Sequence, residues 1–573
     1  MGLVKSVGER QNELEGKHPV WTPKALHQAL ASAADRWPDR DFIVADTSSF
    51  SYSEMHSWSS RIATGLVDVG IKPGDHVALL MANYPEFVAA KFAISRVGAT
   101  AVPINFLNRR DELAYVLAQS EARCLIAMDR FRDLNYLEML DQIVPGWVSG
   151  GGGEVLPYLK TIFVLPVSGE PLPAGVQSFE ALSDASGSTP ELTVDPRSPS
   201  DIIYTSGTTG GPKGVLLTHD MLLRTAYGSA YARAMEDGQR ILFALPMYHV
   251  YGYVEGLLAA LTVGGAAVIK LLFDPAAALD SIGLQHVDDI LLIPTMTLAL
   301  LDELEAGDYD VSNLKTMLSS GGKAPPELWD RIFQKFGQIE VTTGYGMSEA
   351  TASSTVTRPD DPIDKLRFTN GRLRDVGVAG DPQNQGKLVT YRVVDTETED
   401  ELPPGEVGEL RMKGAGVTRG YYKKPEETAT AFDDEGWFRT GDLGVVDPEG
   451  YIILKGRTKE SYRCGGELVL PLEVEQVLIT HSEVSDVHVV AIPDKRMGEV
   501  GVACVVAEHL PSVDESELIE FCRQRLARFK VPRHVVFIKP EELPTTATGR
   551  PRKFLLVEPV LKKLGLTEKG EKQ

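Results

Sequence analysis

One short segment concentrates residues that can bind phosphate. It reads Tyr204-Thr205-Ser206-Gly207-Thr208-Thr209-Gly210-Gly211-Pro212-Lys213-Gly214 and follows a predicted strand. Glycines let backbone N–H groups turn toward an anion, hydroxyl groups donate further hydrogen bonds, and Lys213 supplies positive charge. The GxxxxGK[ST] pattern of a Walker A loop does not fit the segment. We therefore predict a phosphate-binding loop of another kind, with a polar surface turn as the alternative.

A histidine further along the chain could contact an acid. His249 lies between two tyrosines after a predicted strand and could contact a carboxylate, although a lone histidine is often structural.

Five segments after the phosphate loop resemble, in order and separation, the motifs of the adenylate-forming superfamily. They cover residues 246–252, 320–325, 344–349, 437–442 and 456–459. This superfamily contains acyl-CoA synthetases, firefly luciferase and the adenylation domains of peptide synthetases. The resemblance extends over about residues 20 to 555 and is closest to the fatty acid–CoA ligases. It implies a ligase that forms an acyl-adenylate from ATP, releases pyrophosphate and then makes acyl-CoA and AMP.

The resemblance also assigns catalytic roles. Lys213 and a Mg²⁺ ion held by Glu349 would supply positive charge at the phosphates, while His249 would lie beside the carboxylate of the acid. Mg²⁺ prefers few carboxylates together with phosphate oxygens, which suits this role of Glu349. The alternative for Glu349 is a buried glutamate paired with a lysine. Peptide-synthetase adenylation domains have an aspartate next to this position to bind an amino acid's ammonium group. The present sequence lacks that aspartate, which argues against an amino acid substrate.

Contacts with ATP and CoA are implied for a larger set of residues. Tyr345 would stack on adenine, Ser348 would contact phosphate, and Asp442 would accept hydrogen bonds from both ribose hydroxyls, as a carboxylate can. Gly465 and Gly466 would line the tunnel for the pantetheine arm of CoA. The implied binding residues are Thr205, Ser206, Gly207, Thr208, Thr209, Gly210, Lys213, Gly322, Lys323, Ala324, Gly344, Tyr345, Gly346, Ser348, Asp442, Arg457, Lys459, Gly465 and Gly466.

The last motif departs from the family pattern. The chain reads Pro544-Thr545-Thr546-Ala547-Thr548-Gly549-Arg550-Pro551-Arg552-Lys553. Arg550 stands where the family has its C-terminal catalytic lysine, and Lys553 follows where an arginine is common. An arginine keeps the charge of a lysine but not its compact shape. Three interpretations stay open: Arg550 acts less efficiently, Lys553 replaces it, or formation of the adenylate is impaired.

The sequence predicts an α/β fold. A large N-terminal adenylation domain, residues 1–458, would contain parallel-type sheets covered by helices and a small β-rich subdomain over about 375–458. A compact α+β domain, residues 459–573, would follow, and the resemblance implies that it is mobile about a hinge at Lys459. Predicted strands cover 42–44, 76–80, 99–103, 123–127, 201–204, 240–245, 265–269, 289–293, 487–492 and 501–507. Predicted helices cover 85–97, 291–300, 472–480 and 514–526, and residues 562–573 read as a frayed tail.

Composition limits the function classes. The chain has 573 residues and a formal net charge of −22, which disfavours nucleic acids and anionic membranes as partners. The four cysteines lack the spacing of a metal site or redox pair, so free thiols are expected. We see neither a signal peptide nor an apolar run of about 18 residues, and predict a cytoplasmic protein.

The substrate is predicted less directly than the reaction. Segments expected to shape the acyl pocket, near 251–255, 291–300 and 342–344, look apolar with aromatic contributions. An aliphatic, alicyclic or aryl acid would fit such a pocket, and we expect a medium- or long-chain acyl group. The expected partners are small molecules, with at most peripheral membrane contact through a lipid substrate, and a homodimer stays open. Two alternatives remain: another acyl acceptor, or an impaired regulator that binds nucleotide or acyl groups.

Overall fold

The computed structural model describes residues 5–185, 187, 192–205, 211–322, 324–325, 327–507, 513–545 and 551–566. They belong to two compact units. The first comprises Met1–Thr390 with Met412–Phe438, and the second comprises Tyr391–Arg411 with Arg439–Gln573. The domain boundary expected at residue 458 stays a prediction.

The strands are short and alternate with helices along most of the chain. They are β1 Asp41–Val44, β2 Ser49–Ser51, β3 His76–Leu80, β4 Thr100–Pro103, β5 Cys124–Met128, β6 Arg130–Phe131, β7 Leu134–Asn135, β8 Thr161–Leu165, β9 Gln177–Ser178, β10 Pro199–Thr205, β11 Lys213–Thr218, β12 Arg240–Phe243, β13 Ala266–Ile269, β14 Asp289–Leu292, β15 Thr316–Ser319, β16 Glu340–Thr342, β17 Gly344–Met347, β18 Ala352–Val356, β19 Arg372–Leu373, β20 Thr390–Val394, β21 Gly408–Lys413, β22 Phe438–Val446, β23 Ile452–Arg457, β24 Tyr462–Cys464, β25 Glu467–Val469, β26 Asp486–Asp494, β27 Gly498–Val506 and β28 His534–Ile538.

The α-helices, in chain order, are α1 Val7–Lys17, α2 Leu26–Arg36, α3 Tyr52–Asp68, α4 Pro85–Arg96, α5 Arg110–Gln119, α6 Tyr136–Ile143, α7 Trp147–Gly150, α8 Phe179–Ser183, α9 His219–Ala232, α10 Ala259–Val263, α11 Pro275–Leu284, α12 Pro294–Ala306, α13 Glu327–Phe336, α14 Ile363–Phe368, α15 Pro425–Ala431, α16 Pro471–Leu478, α17 Glu515–Arg523 and α18 Val557–Leu564. A π-helix, Tyr251–Leu258, precedes α10.

Two seven-stranded sheets form the first unit. One has the strand order β16-β15-β14-β12-β13-β1-β2 and the other β11-β10-β4-β3-β5-β8-β9. The inner pairings are parallel, and an antiparallel strand closes one edge of each sheet. Strands such as β13 are apolar and fully buried, as expected where helices cover both faces. The predicted α/β fold class is confirmed.

The parallel sheet that contains β12, β14, β15 and β16 explains how distant motifs meet. Because these strands are parallel neighbours, their carboxyl ends lie at one edge of the sheet. The segments that follow them carry His249, Pro294, Ser320 and Gly344 respectively. The motifs predicted to bind the acid and adenine therefore follow strands that end on the same edge.

The second unit contains a five-stranded sheet of β25, β24, β27, β26 and β28. Its core consists mainly of valines on β26 and β27, with Leu478 of α16 and Leu518 of α17 packed against them. Valine suits this position because its branched side chain packs well on a pleated surface. A separate four-stranded sheet has the order β20-β21-β22-β23.

Most predicted elements are found with boundaries shifted by one to three residues, but two predictions are wrong in part. The helix predicted over 291–300 begins later, since β14 continues to Leu292 and Pro294 opens α12. Proline at the first helical position loses no hydrogen bond, because its missing N–H would have no intrahelical partner there. The predicted frayed tail is also wrong for residues 562–564, which belong to α18; residues 567–573 lie outside the described residues.

Candidate active site

The two ends of the predicted phosphate loop lie side by side. β10 and β11 form an antiparallel hairpin in which Thr205 is paired with Lys213. Gly214 allows these strands to pack closely, since a Cβ at this position would lie 2.5 Å from Cγ2 of Ile202. The predicted binding residues 206–210 lie outside the described residues. The hairpin places Lys213 at the start of a strand beside the loop.

Lys213 and Glu349 are connected by one aromatic side chain. The Lys213 ammonium lies 4.9 Å from the ring centroid of Tyr421, within cation–π range. The Tyr421 hydroxyl donates a hydrogen bond of 3.0 Å to Oε1 of Glu349. Burial and the neighbouring carboxylate raise the pKa of Tyr421, so the phenol keeps its proton. The structure thus groups the two predicted charge-bearing residues of the phosphate site around Tyr421.

The sequence analysis did not single out Tyr421. Its neighbours in the sequence, Gly420 and Tyr422, do not suggest a catalytic or binding role. Its contacts are distant in sequence: Glu349 lies 72 positions earlier, and the other contact is on β11. A pattern of periodicity or charge could not have identified it.

The segment with Tyr345 is a tight hairpin of β17 and β18. Its glycines are required by close backbone approach: a Cβ on Gly346 would lie 1.9 Å from the carbonyl oxygen of Ala352, and one on Gly344 2.2 Å from that of Thr355. Tyr345 is buried, and its backbone N–H donates to the Thr355 hydroxyl at 3.2 Å. The hairpin fixes the position of the residue predicted to stack on adenine.

Ser348 and Glu349 lie in the connection between β17 and β18, in a single turn of 3₁₀ helix, Ser348–Ala350. Ser348 is buried and Glu349 is half-buried. The backbone oxygen of Glu349 accepts a 2.8 Å hydrogen bond from the N–H of Thr418. The backbone of Glu349 is therefore held by the paired strands β17 and β18 and by the hydrogen bond from Thr418.

The turn after β15 is joined to the Tyr345 hairpin. The hydroxyl of Ser320 donates to the carbonyl of Gly344 at 2.6 Å and accepts from its N–H at 3.2 Å. Gly322 is exposed and Ala324 half-buried, while the predicted residue Lys323 lies outside the described residues. Two predicted adenine-binding segments thus come together through one buried serine.

His249 lies just before the π-helix. It is half-buried, and its Nδ1 accepts a 3.2 Å hydrogen bond from the N–H of Tyr251. The Tyr251 hydroxyl donates to the carbonyl of Leu292 at the end of β14, 3.0 Å away. π-helices are rare and frequently occur at functional sites. This one places the segment expected to close the acyl pocket against the same sheet edge as Ser320.

The π-helix also carries a buried charge. Glu255 is 0% exposed, and its carboxylate lies 2.8 Å from the guanidinium of Arg374 and accepts the N–H of Ser353 at 3.0 Å. Burial alone would raise the pKa of Glu255, but Arg374 and the Ser229 hydroxyl outweigh it and lower the pKa. The sequence contained an indication of this ion pair, because Glu255 stands within an apolar run and a buried charge needs a partner.

In the second unit, Asp442 and Arg457 are paired across β22 and β23. Nε of Arg457 lies 2.9 Å from Oδ1 of Asp442, which is buried. Lys459, the predicted hinge, is exposed just beyond the end of β23. The two residues predicted to contact ribose are thus neighbours in this unit.

Gly465 and Gly466 form the two-residue turn between β24 and β25. Both have positive φ, 64° and 92°, as a type I′ hairpin turn requires. A Cβ on Gly465 would also lie 2.6 Å from Cε of Met497. The hairpin geometry explains both glycines, and their predicted contact with pantetheine stays a prediction.

Lys553 is largely buried between two carboxylates of the same unit. Its ammonium lies 2.6 Å from Glu475 and 3.3 Å from Glu460. Burial acts to lower the pKa of Lys553, but the two glutamates outweigh it and the pKa is raised. Arg550, the other candidate for the catalytic cation, lies outside the described residues.

Two segments of the chain match models of one enzyme family. The chain matches the AMP-binding enzyme family over residues 30–422 and the C-terminal domain of AMP-binding enzymes over residues 473–550. The chain belongs to the AMP-binding enzyme family. The expected membership of the adenylate-forming superfamily is confirmed, and with it the expectation of an AMP-forming acid–thiol ligase.

Several AMP-binding enzymes are similar over nearly the whole chain. The medium-chain fatty-acid–CoA ligase of Escherichia coli is 31% identical over 98% of this chain and 95% of its own. A CoA ligase for a methyl-dioxo-octahydro-indenyl propanoate from Mycobacterium tuberculosis is 31% identical over 95% of this chain and 99% of its own. ATP-bound MatB from Rhodopseudomonas palustris superposes with a TM-score of 0.81 at 26% identity, over 94% and 99% of the two chains.

The expected ATP, Mg²⁺ and CoA agree with this AMP-binding enzyme family. The described residues contain no cluster of three or more histidines, cysteines or carboxylates that could hold a metal alone. Mg²⁺ commonly binds one or two carboxylates together with substrate phosphates, and Glu349 beside the phosphate hairpin fits that donor set. Within the part of the chain that the structure covers, we find no helix long and apolar enough to cross a bilayer.

Proposed function

We propose that the protein is an ATP-dependent carboxylic acid–CoA ligase whose acid is a medium- or long-chain fatty acid. The observation that carries the activation step is the grouping of Lys213 and Glu349 around Tyr421, in a chain that belongs to the AMP-binding enzymes. A lysine and a carboxylate that can bind Mg²⁺ are the groups needed to neutralise the phosphates of ATP.

In the first half-reaction, the carboxylate of the acid attacks the α-phosphorus of ATP and pyrophosphate leaves. Catalysis of such a step is mostly positioning and electrostatic stabilisation. Lys213 would donate hydrogen bonds to the phosphates, His249 would orient the carboxylate, and Asp442 would accept the ribose hydroxyls. Mg²⁺ bound through Glu349 would neutralise charge on the leaving pyrophosphate.

In the second half-reaction, the thiol of CoA attacks the acyl carbon of the adenylate and AMP leaves. The hairpin turn of Gly465 and Gly466 has no side chains, so it is suited to a thin pantetheine arm. We propose that the C-terminal domain rotates at Lys459 between the two half-reactions, which would keep water from the adenylate.

Two observations support the assignment of a fatty acid as the substrate. The E. coli relative acts on medium-chain fatty acids, and the π-helix after His249 buries Tyr253, Val254, Leu257 and Leu258. The M. tuberculosis relative is named for a bicyclic acid, so an alicyclic or aryl acid is the alternative class.

For the C-terminal cation we propose Arg550 rather than Lys553. The two ion pairs of Lys553 with Glu475 and Glu460 already compensate its charge within its own unit. Moving Lys553 to a phosphate would leave the buried Glu475 without its cation, which is costly.

The experiment is carboxylate-dependent pyrophosphate release, measured with and without CoA across fatty, alicyclic and aromatic acids. We expect release with a medium- or long-chain acid and a matching acyl-CoA when CoA is present. Release that peaks with an aryl or alicyclic acid would contradict the assigned substrate class.

Other outcomes would replace the proposal itself. Adenylate formation without any acyl-CoA product would favour another acyl acceptor. ATP binding without pyrophosphate release from any acid would favour the regulator interpretation. Cytoplasmic location, a homodimer and peripheral membrane contact through a lipid substrate stay predictions.

A further inference from the structure

We infer that Tyr421 is a positioning residue of the phosphate site, which orients the carboxylate of Glu349 through its hydroxyl and the ammonium of Lys213 through its ring. This inference rests on the roles proposed above for these two residues. None of the motifs that assigned those roles includes Tyr421.

The contacts of Tyr421 are directional. The 3.0 Å hydrogen bond to Oε1 of Glu349 holds one carboxylate oxygen in a fixed direction. The Lys213 ammonium lies over the ring, 4.9 Å from its centroid. Tyr421 is 9% exposed, so both contacts are shielded from most of the competing water. A rigid aromatic side chain with two partners constrains both more strongly than a mobile one would.

The backbone around Tyr421 is anchored to the same elements that carry its partners. Tyr421 forms a bridge with Val215 of β11, two positions after Lys213, and its N–H donates to the Thr428 hydroxyl at 3.0 Å. Gly420, with φ of 136°, permits this packing, because a Cβ there would lie 2.5 Å from Cγ2 of Thr428. The ring is therefore placed by the backbone of the phosphate hairpin itself.

Carboxylates that bind metals are commonly hydrogen-bonded on their other side, and loss of that outer partner costs about 10- to 100-fold in metal affinity. Tyr421 supplies such a hydrogen bond to Glu349. The contact of the ring with Lys213 can be tested separately from the hydrogen bond to Glu349, because Tyr421→Phe keeps the ring and removes only the hydroxyl.

The next residue provides a matched control. Tyr422 also donates its hydroxyl to a glutamate, Glu121, at 3.1 Å, and is likewise tied to the hairpin by its N–H bond to the carbonyl of Gly214. Tyr422→Phe removes the same type of hydrogen bond one position away, from a glutamate that is outside the phosphate site.

The test is Mn²⁺ binding to the full-length protein in the presence of α,β-methylene-ATP, with free Mn²⁺ followed by electron paramagnetic resonance. We expect Tyr421→Phe to raise the Kd of Mn²⁺ about 10-fold, and Tyr422→Phe to leave it within about twofold. Tyr421→Leu, which also removes the ring, should in addition weaken metal-free binding of the analogue roughly threefold. Circular dichroism of each variant checks the fold.

Glu349→Gln separates failure of this inference from failure of the proposed function. A clear loss of Mn²⁺ affinity in Glu349→Gln with none in Tyr421→Phe would overturn the positioning role and leave the proposed function standing. Equal losses in the two tyrosine variants would overturn it too. An unchanged Mn²⁺ affinity in Glu349→Gln would instead refute the metal role of Glu349.

Discussion

At the scale of single residues, Arg550 and Lys553 differ from the family pattern, and the environment of Lys553 bears on its role. Lys553 is 14% exposed and lies between Glu475, which is 4% exposed, and Glu460. Glu475 also accepts the backbone N–H of Val489 at 2.8 Å, so its carboxylate has a fixed structural position. These contacts favour a structural role for Lys553.

We predict opposite phenotypes for the two cations. Arg550→Ala should slow acid-dependent pyrophosphate–ATP exchange on the order of 100-fold, because it removes one electrostatic stabiliser of the transition state. Lys553→Ala should instead lower the free energy of unfolding by about 3 kcal/mol, because it leaves Glu475 buried without its cation. Exchange kinetics and urea unfolding followed by circular dichroism measure the two effects. The reverse pattern would show that Lys553 is the catalytic cation.

At the scale of elements, the Glu255 carboxylate joins three pieces of the first unit. It belongs to the π-helix, accepts the N–H of Ser353 on β18, and forms an ion pair with Arg374 after β19. β18 pairs in turn with β17, where Tyr345 lies. The wall expected to bind the acid and the hairpin expected to bind adenine are therefore connected through one buried charge.

Glu255→Gln should destabilise the first unit by about 3 kcal/mol or more, since a buried arginine loses its counter-charge. Urea unfolding followed by tryptophan fluorescence measures this, because all six tryptophans lie in the first unit. The double variant Glu255→Gln/Arg374→Met should recover much of the loss. Glu13→Gln, which breaks the exposed pair with Lys5, should leave the midpoint unchanged. A midpoint in Glu255→Gln equal to that of Glu13→Gln would contradict the prediction.

At the scale of the whole molecule, two buried histidines contribute to the response of the first unit to acid. Burial, with Arg96 and His56 nearby, lowers the pKa of His27 to about 4, and burial beside His27 and Lys91 lowers that of His219 to about 3. In the unfolded chain both rings take up protons near pH 6.5. The unfolded state therefore binds more protons below pH 6.5, and stability falls as the pH drops from there toward 4.

We expect His27 to account for about 3 kcal/mol of this loss between pH 6.5 and pH 4. His27→Gln should flatten the dependence of the unfolding free energy on pH in that window, as measured by urea unfolding at a series of pH values. His286→Asn, at an exposed position, is the control and should keep the slope of the unaltered protein. An unchanged slope in His27→Gln would contradict the assignment.

Much of the fold and part of the site could be predicted from local sequence. Runs such as 76–80 and 289–293 are mainly apolar, and both form strands. Gly344 and Gly465 were predicted only as binding residues, and the structure adds that both lie in tight hairpins, where close backbone approach at Gly344 and positive φ at Gly465 disfavour a side chain. Boundaries were less accurate, as the late start of α12 at Pro294 shows, because the apolar run continues across the change from strand to helix and hydrophobicity alone does not place it.

The sequence by itself determined the family, the α/β alternation and the residue types available for chemistry. These follow from short-range patterns: motif spacing, hydrophobic periodicity and the conformational limits of glycine and proline. Only the tertiary structure decided which distant residues meet. Tyr421 between Lys213 and Glu349, and Glu255 with Arg374, each join parts of the chain more than 70 positions apart. Such contacts depend on strand order and on the need of buried charges for partners, and neither is encoded in the neighbouring residues.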